Sequence, residues 1–417
     1  MEAGTRLSAS ILKLHLMSRL ILFVFAVLFL LPASAQKKEI SQARDYIKSR
    51  SSLDKAESSM RELLKDSANR RNLKIYITLA EAVRAQYDVE NEKLYLKEKF
   101  DTAAFFNTAR KMFLAYEGLD SMEAMPDKKG RVKVKLRKKN AALLDRYRLN
   151  LYNGGLFFVK RKDYKSAYGL FDTYLDCSKQ PLFTDLKYSN QDSLGMSAAF
   201  WTVFCGFKTN NTDSALKYRN LALQSPKYRR RTLAILSEVY LSKNDTANYV
   251  KALEVGMDEN RASKFFFARL MDYYNSKNDL DRALSLSDKA LAADKDNGLF
   301  LFAKSNVLLN LGKYEECIKI CDTLLARKDT LPDIYFNAGA SYINMAVVLE
   351  NEDEESKEMK DKIKSYYKKA LPYMESYRVL APDQKDKWAP FLYNIYLKLN
   401  MGKQFEEISG VLQKLRK

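Results

Sequence analysis

The 417-residue chain holds a single histidine, His15, so everything that needs an imidazole is missing beyond it. Ser-His-Asp and Cys-His nucleophiles, the H-E-x-x-H zinc site and a histidine pH switch are excluded there. The four cysteines, Cys177, Cys205, Cys317 and Cys321, are too few for a dense disulfide framework. Cys317 and Cys321 stand four apart on an expected helix, which turns both thiols to one apolar side. They read as small buried side chains, because a metal site would need a second ligand pair nearby. The sequence also lacks G-x-x-x-x-G-K-[ST], G-x-S-x-G and G-x-G-x-x-G, and with them a phosphate loop or a nucleophile elbow. A bare carboxylate pair of the glycosidase kind would escape this test, but nothing marks a particular pair. A non-catalytic chain without cofactor or metal is therefore expected.

Long apolar runs are lacking too, with one exception. Lys13 and Arg19 precede LILFVFAVLFLL (20–31), and PASAQ follows with Ala33 and Ala35. Twelve apolar residues fall short of the roughly 20 that span a bilayer. The layout is that of a secretory signal peptide over 1–35, cleaved after Ala35. Met17 opens a signal of more usual length, so translation starts at Met1 or Met17; no cysteine follows the run to carry lipid. The mature chain is expected to have no transmembrane span. Residues 1–35 contribute Arg6, Lys13 and Arg19 against Glu2, so the whole-chain charge of +19 becomes +17 in the mature part. In an exported chain that excess suits an anionic envelope polymer, lipid head groups or an acidic protein. Nucleic acid is disfavoured.

What the mature part does have is a period. It is too long for one ordinary compact domain, yet no Gly/Ser/Pro-rich linker divides it. IYFNAGASY (334–342) sets Tyr335, Ala338, Gly339 and Tyr342 at spacings of three, one and three. A helical glycine costs roughly 1 kcal/mol against alanine, so a close helix–helix approach is expected at Gly339. Steps of 34 residues back give Leu301 and Leu308 with Tyr314, Cys317 and Leu324; then Phe267, Leu270 and Tyr274 with Ala283 and Ala290. Two more give Leu233, Leu236 and Tyr240 with Leu253 and Gly256, then Ala199, Val203 and Gly206 with Ala215 and Ala222. Five consecutive units keep the frame. The pattern resembles the tetratricopeptide repeat (TPR), a 34-residue helix–turn–helix unit. That resemblance implies an all-α fold, a right-handed superhelix of stacked antiparallel helix pairs (an α-solenoid), because a lone pair cannot bury its apolar face.

The frame extends both ways. LYNGGLFFVKRKDYKSAYGLFDTYL (151–175) fits with Gly155, Phe158, Tyr164, Ala167 and Phe171, after which fourteen extra residues intervene around KQPLFTDLKYSNQD. Downstream the second helix is displaced by nineteen residues, so Ala370, Met374 and Pro382 complete the unit. The charged stretch between, with Asp353–Lys357 and Glu358–Lys362 pairs, reads as two lengthened helices. Trp388 opens a last unit, and FEEISGVLQKLRK closes as a capping helix. Upstream, 53–64, 75–87 and 102–119 read as looser hairpin helices; RVKVKLR (131–137) is the one stretch with strand-like alternation. The expected organisation is a signal peptide (1–35), degenerate N-terminal hairpins ending in a basic connector (36–146) and a TPR array with a capping helix (147–417).

The resemblance implies a non-catalytic protein–protein interaction scaffold, and the signal-peptide layout places it in the bacterial cell envelope, periplasmic first and cell-surface or secreted second. Its concave groove would hold a peptide or partner protein. The family's groove positions fall here on Tyr152, Phe200, Glu238, Asp272, Asn275, Phe302, Asn306, Asn310, Phe336, Asn337 and Asn344. Asparagine offers donors and an acceptor, so a ladder of them suits an extended peptide backbone. The carboxylate clamp of chaperone-binding relatives is not supported: Asn306 and Asn337 match its asparagines, but Phe302, Asp386 and Pro390 stand where its basic residues belong. The alternative is a polyanion- or glycan-binding envelope protein. It would use KKGRVKVKLRKK (128–139), where Lys128, Lys129, Arg131, Lys133, Lys135, Arg137, Lys138 and Lys139 put eight cations in twelve residues. That run lacks the interleaved aromatics of a nucleic-acid platform.

Overall fold

A computed structural model describes residues 36–127, 129–352 and 356–415. Its helix pairs close through a two-residue device. Lys162, Asn210, Asn244, Asn278 and Gly312 all have positive φ, between 53° and 73°. From Asn210 onward they recur every 34 residues. Asparagine and glycine tolerate this left-handed conformation, which reverses the chain. The next residue then caps the second helix: Asp163, Asn211, Asp245 and Asp279 accept the backbone N–H of Ser166, Ser214, Asn248 and Arg282 at 2.9–3.2 Å. An N-terminal helix would otherwise leave those donors without partners.

All regular structure among the described residues is helical, without a strand. Helix α1 covers 36–49. It is followed by α2 (Leu53–Leu63), α3 (Leu73–Tyr95), α4 (Thr102–Glu123), α5 (Arg137–Asp145), α6 (Arg148–Lys160), α7 (Tyr164–Asp176), α8 (Ser193–Lys208), α9 (Thr212–Lys217), α10 (Arg219–Ala222) and α11 (Arg229–Ser242). Then come α12 (Thr246–Glu259), α13 (Lys264–Ser276), α14 (Leu280–Ala293), α15 (Gly298–Asn310), α16 (Tyr314–Ala326), α17 (Pro332–Glu350), α18 (Lys357–Leu380), α19 (Lys385–Lys398) and α20 (Gly402–Leu415). The chain forms two compact units, one ending at Val239 and one spanning Tyr240–Lys417.

In the first unit α2 packs on α3 and α3 on α4; α4 also meets α6 and α7, and α7 meets α8. The fourteen-residue insertion forms a 3₁₀ turn at Pro181–Leu186. Arg148 clasps it: the guanidinium lies 4.0 Å from the Tyr174 ring and 4.1 Å from the Tyr188 ring, and donates to the Tyr174 carbonyl and Asn190 Oδ1. RVKVKLR forms no strand; 131–135 is irregular coil that leads into α5. Arg137 explains where the helix begins, since it makes a two-pronged bond at 2.8 Å to the buried carboxylate of Asp120 on α4.

In the second unit each helix from α12 to α20 packs on its successor, and α15 and α17, then α17 and α19, also touch. That is the stacking the 34-residue frame requires. The displaced pair is lengthened as expected, to 19 residues in α17 and 24 in α18. A Cβ on Gly339 would stand 2.9 Å from Met374 Cε and 3.3 Å from Tyr373 Cβ, so glycine lets α17 and α18 close. All four cysteines are free and buried. Cys317 and Cys321 join Leu308, Leu324, Ile334 and Ala338 in one apolar cluster. No described helix is long and apolar enough to cross a membrane. The expected signal peptide lies outside the described residues.

Candidate functional site

Three helices of the second unit set the candidate site. Along α15, Phe302, Asn306, Leu309 and Asn310 recur at spacings of four, three and one, which keeps them on one face. Asp333, Phe336 and Asn337 do the same at the start of α17, while Asn275 lies in the last turn of α13 and Asn278 in the turn after it. With Leu280 and Lys387 these residues line an open cleft of about 620 Å³. Six of the eleven groove residues expected from sequence thus meet in one place: Asn275, Phe302, Asn306, Asn310, Phe336 and Asn337.

The cleft floor is a fixed amide pair. Asn337, only 3 % exposed, donates from Nδ2 to Ser305 Oγ at 3.1 Å and to Asn306 Oδ1 at 2.6 Å. Ser305 and Ser341 anchor the surroundings, donating to the backbone carbonyls of Phe302 and Asn337. Directly beneath, the Cys317 thiol donates to the Ser305 carbonyl at 3.2 Å. Asn306 Nδ2 and Asn337 Oδ1 make no hydrogen bond with any described residue, so the pair holds one donor and one acceptor in reserve. A peptide group offers the complementary acceptor and donor. Lys387 and Asp333 face each other across the cleft at 3.7 Å, both about half exposed, which makes a weak pair that a charged ligand can open.

The other expected groove residues are not part of this cleft's lining. Asp272 is exposed on α13 and Asn344 half-buried on α17. In the first unit, Tyr152 bonds Ser197 Oγ at 2.9 Å and packs its ring on Phe171 and Tyr174. Glu238 is half-buried on α11. Phe200 offers a partner no surface: its ring is wholly buried, stacked on Tyr228 at 4.2 Å. Sequence reasoning passed over Asn278, Asp333 and Lys387. Asn278 is the left-handed turn residue of its unit, a signal present in the Asn-Asp dipeptide.

The basic segment divides. Lys129, Lys133, Lys135, Lys138 and Lys139 are exposed. Arg131 is tied to Asp127 at 3.0 Å and Arg137 to Asp120, so both serve the fold, and Lys128 lies outside the described residues. Elsewhere, burial pushes the Glu117 carboxyl up to about 8, with the Asp176 carboxylate adding to the rise. Its Oε1 is buried without a partner. No group of three or more His, Cys, Asp or Glu among the described residues is placed to hold a metal ion.

A tetratricopeptide repeat family model matches residues 275–335, the segment that carries α14, α15 and α16. No curated protein matches the chain significantly. Among solved structures, it is similar to the C-terminal part of a TPR repeat-containing protein from Cytophaga hutchinsonii, with 11 % identity and a TM-score of 0.42 over 62 % of this chain and 92 % of that one. Yeast Tom70 is 10 % identical with a TM-score of 0.26, over 92 % of this chain and 97 % of that one. The P58(IPK) TPR domain is 12 % identical with a TM-score of 0.25, over 91 % and 99 %. Scores this low say nothing about function.

Proposed function

The chain carries tetratricopeptide repeats, and from that premise we propose that it is a non-catalytic interaction scaffold whose second unit holds an extended segment of a partner protein. The observation that carries this reading is the convergence of six of the expected groove residues on one cleft, floored by an amide pair with a spare donor and a spare acceptor. Backbone recognition by such a pair needs no particular side chain on the peptide. Phe302 and Phe336 supply apolar contact on either side. The layout of residues 13–36 supports export, which would put the scaffold in the bacterial cell envelope, first of all the periplasm.

The test is crosslinking in intact cells followed by pull-down, comparing the wild type with Phe302→Ala/Asn306→Ala. Loss of a crosslinked partner in that variant, with the same partner retained when Lys133, Lys135 and Lys138 are changed to Gln, supports the cleft. The reverse pattern, with capture lost at moderate salt, would transfer function to the basic segment as a polyanion site. Arg137 is left out of the neutralised set because its removal strands the buried Asp120 carboxylate.

A further inference from the structure

A second cleft lies in the first unit, where the short helix α5 stands off from the α3–α4 hairpin. Its volume is about 470 Å³. One wall is the α3 face Ile77, Ala80, Glu81 and Arg84; Tyr116 and Leu119 of α4 form the floor. Leu136, Lys139, Asn140, Leu143 and Arg146, on and beside α5, form the other wall. The spacing along α5 is three, one, three and three, so apolar and cationic groups alternate along one helical face. The rim carries Lys139 and Arg146 against a single anion, Glu81, while Arg84 is held by Asp88 at 3.3 Å. Lys139 and Arg146 are exposed, and neither makes an ion pair with a described residue. Asn140 is 8 % exposed, and its Nδ2 is buried with no hydrogen-bond partner.

We propose that this cleft is a docking site for an acidic amphipathic helical segment of a partner protein. Three features select that occupant. The half-buried Ile77, Leu136 and Leu143 on the two walls give an apolar strip that fits the apolar face of a third helix laid into the groove. The cationic excess at the rim matches carboxylates, which guanidinium forks bind in two-pronged fashion. The two unpaired cations are also spread out: Lys139 and Arg146 are seven residues apart, about 10 Å along a helix. A strip of that length meets several negative charges in a row. A single lipid head group would engage only one end of it.

The probe is a fluorescein-labelled peptide, Ac-ELLEELLEELLEEL-NH2, titrated with the full chain by fluorescence anisotropy; Ac-KLLKKLLKKLLKKL-NH2 is the charge-reversed control. Saturable one-to-one binding of the acidic peptide is expected, at least tenfold tighter than that of the control. Lys139→Glu/Arg146→Glu changes only exposed side chains and weakens the acidic peptide at least tenfold while improving the basic one. Ala142→Trp, which fills the cleft from an exposed lining position, abolishes both. Asn306→Ala in the second unit leaves this binding unchanged, so it is read independently of the proposed peptide cleft. Equal binding of the two peptides, or affinity untouched by the charge reversal, would overturn the proposal. So would co-sedimentation of the full chain with vesicles containing a single-charge anionic lipid that is lost in Lys139→Glu/Arg146→Glu, with no saturable binding of the acidic peptide.

Discussion

At the scale of single residues, three glycines separate necessity from convenience. A Cβ on Gly206 would lie 2.3 Å from the backbone nitrogen of Ala215, which cannot move without moving α9. On Gly339 the same atom would meet the flexible Met374 side chain first. On Gly410, inside α20, it would meet nothing within 4 Å. Gly206→Ala is therefore expected to lose about 3 kcal/mol, Gly339→Ala about 1 kcal/mol, and Gly410→Ala to gain up to ~1 kcal/mol from helix propensity. Denaturant titration of the three variants gives the order directly. The sequence pointed to a tight contact at Gly339, because a glycine inside a helix needs a close approach to offset its cost. It did not show that Phe200 is core, since an aromatic at a groove position looks alike whether its neighbour is solvent or Tyr228. That difference comes from the Tyr228 ring beyond the end of the helix pair, which the 34-residue frame does not encode.

Among the elements, the turn is the most repetitive part of the chain. The left-handed residue is asparagine or glycine in four successive turns, but Lys162 in the turn between α6 and α7. A lysine Cβ is crowded in that conformation. Lys162→Asn or Lys162→Gly is expected to stabilise the first unit by about 0.5–1 kcal/mol. Asp279→Ala removes the cap on Arg282 N–H and is expected to cost about 1 kcal/mol. Hydrogen exchange at the first turn of α14 would rise in the second variant, with thermal melts giving the size of both effects. Helix boundaries and the lengthening of α17 and α18 were legible because apolar spacing and turn residues agree. The α5 cleft was not. The strand-like alternation of RVKVKLR runs up to the start of α5, and only the bond from Arg137 to Asp120 shows where the helix that forms this wall begins.

Over the whole molecule, the near-absence of histidine simplifies the response to pH. Glu117 is raised in the folded state from the ordinary 4.5 to about 8, so the folded chain holds a proton there that the unfolded chain releases. Stability from this group is full below about 4.5 and falls as pH rises towards 8. Glu117→Gln keeps the neutral shape, so its melting temperature should match the wild type at pH 4 and exceed it at pH 8. Equal melting at both values would show that the carboxyl titrates normally. One feature also bears on how this protein diverges. The amide that floors the second-unit cleft is a rivet between α15 and α17, because Asn337 spends its donors on Ser305 and Asn306. Changing what the cleft recognises at that point loosens the joint beneath it. New specificities should accumulate instead at Asn275, Asn310 and Lys387, whose side chains are exposed at the cleft and can vary without disturbing the seam.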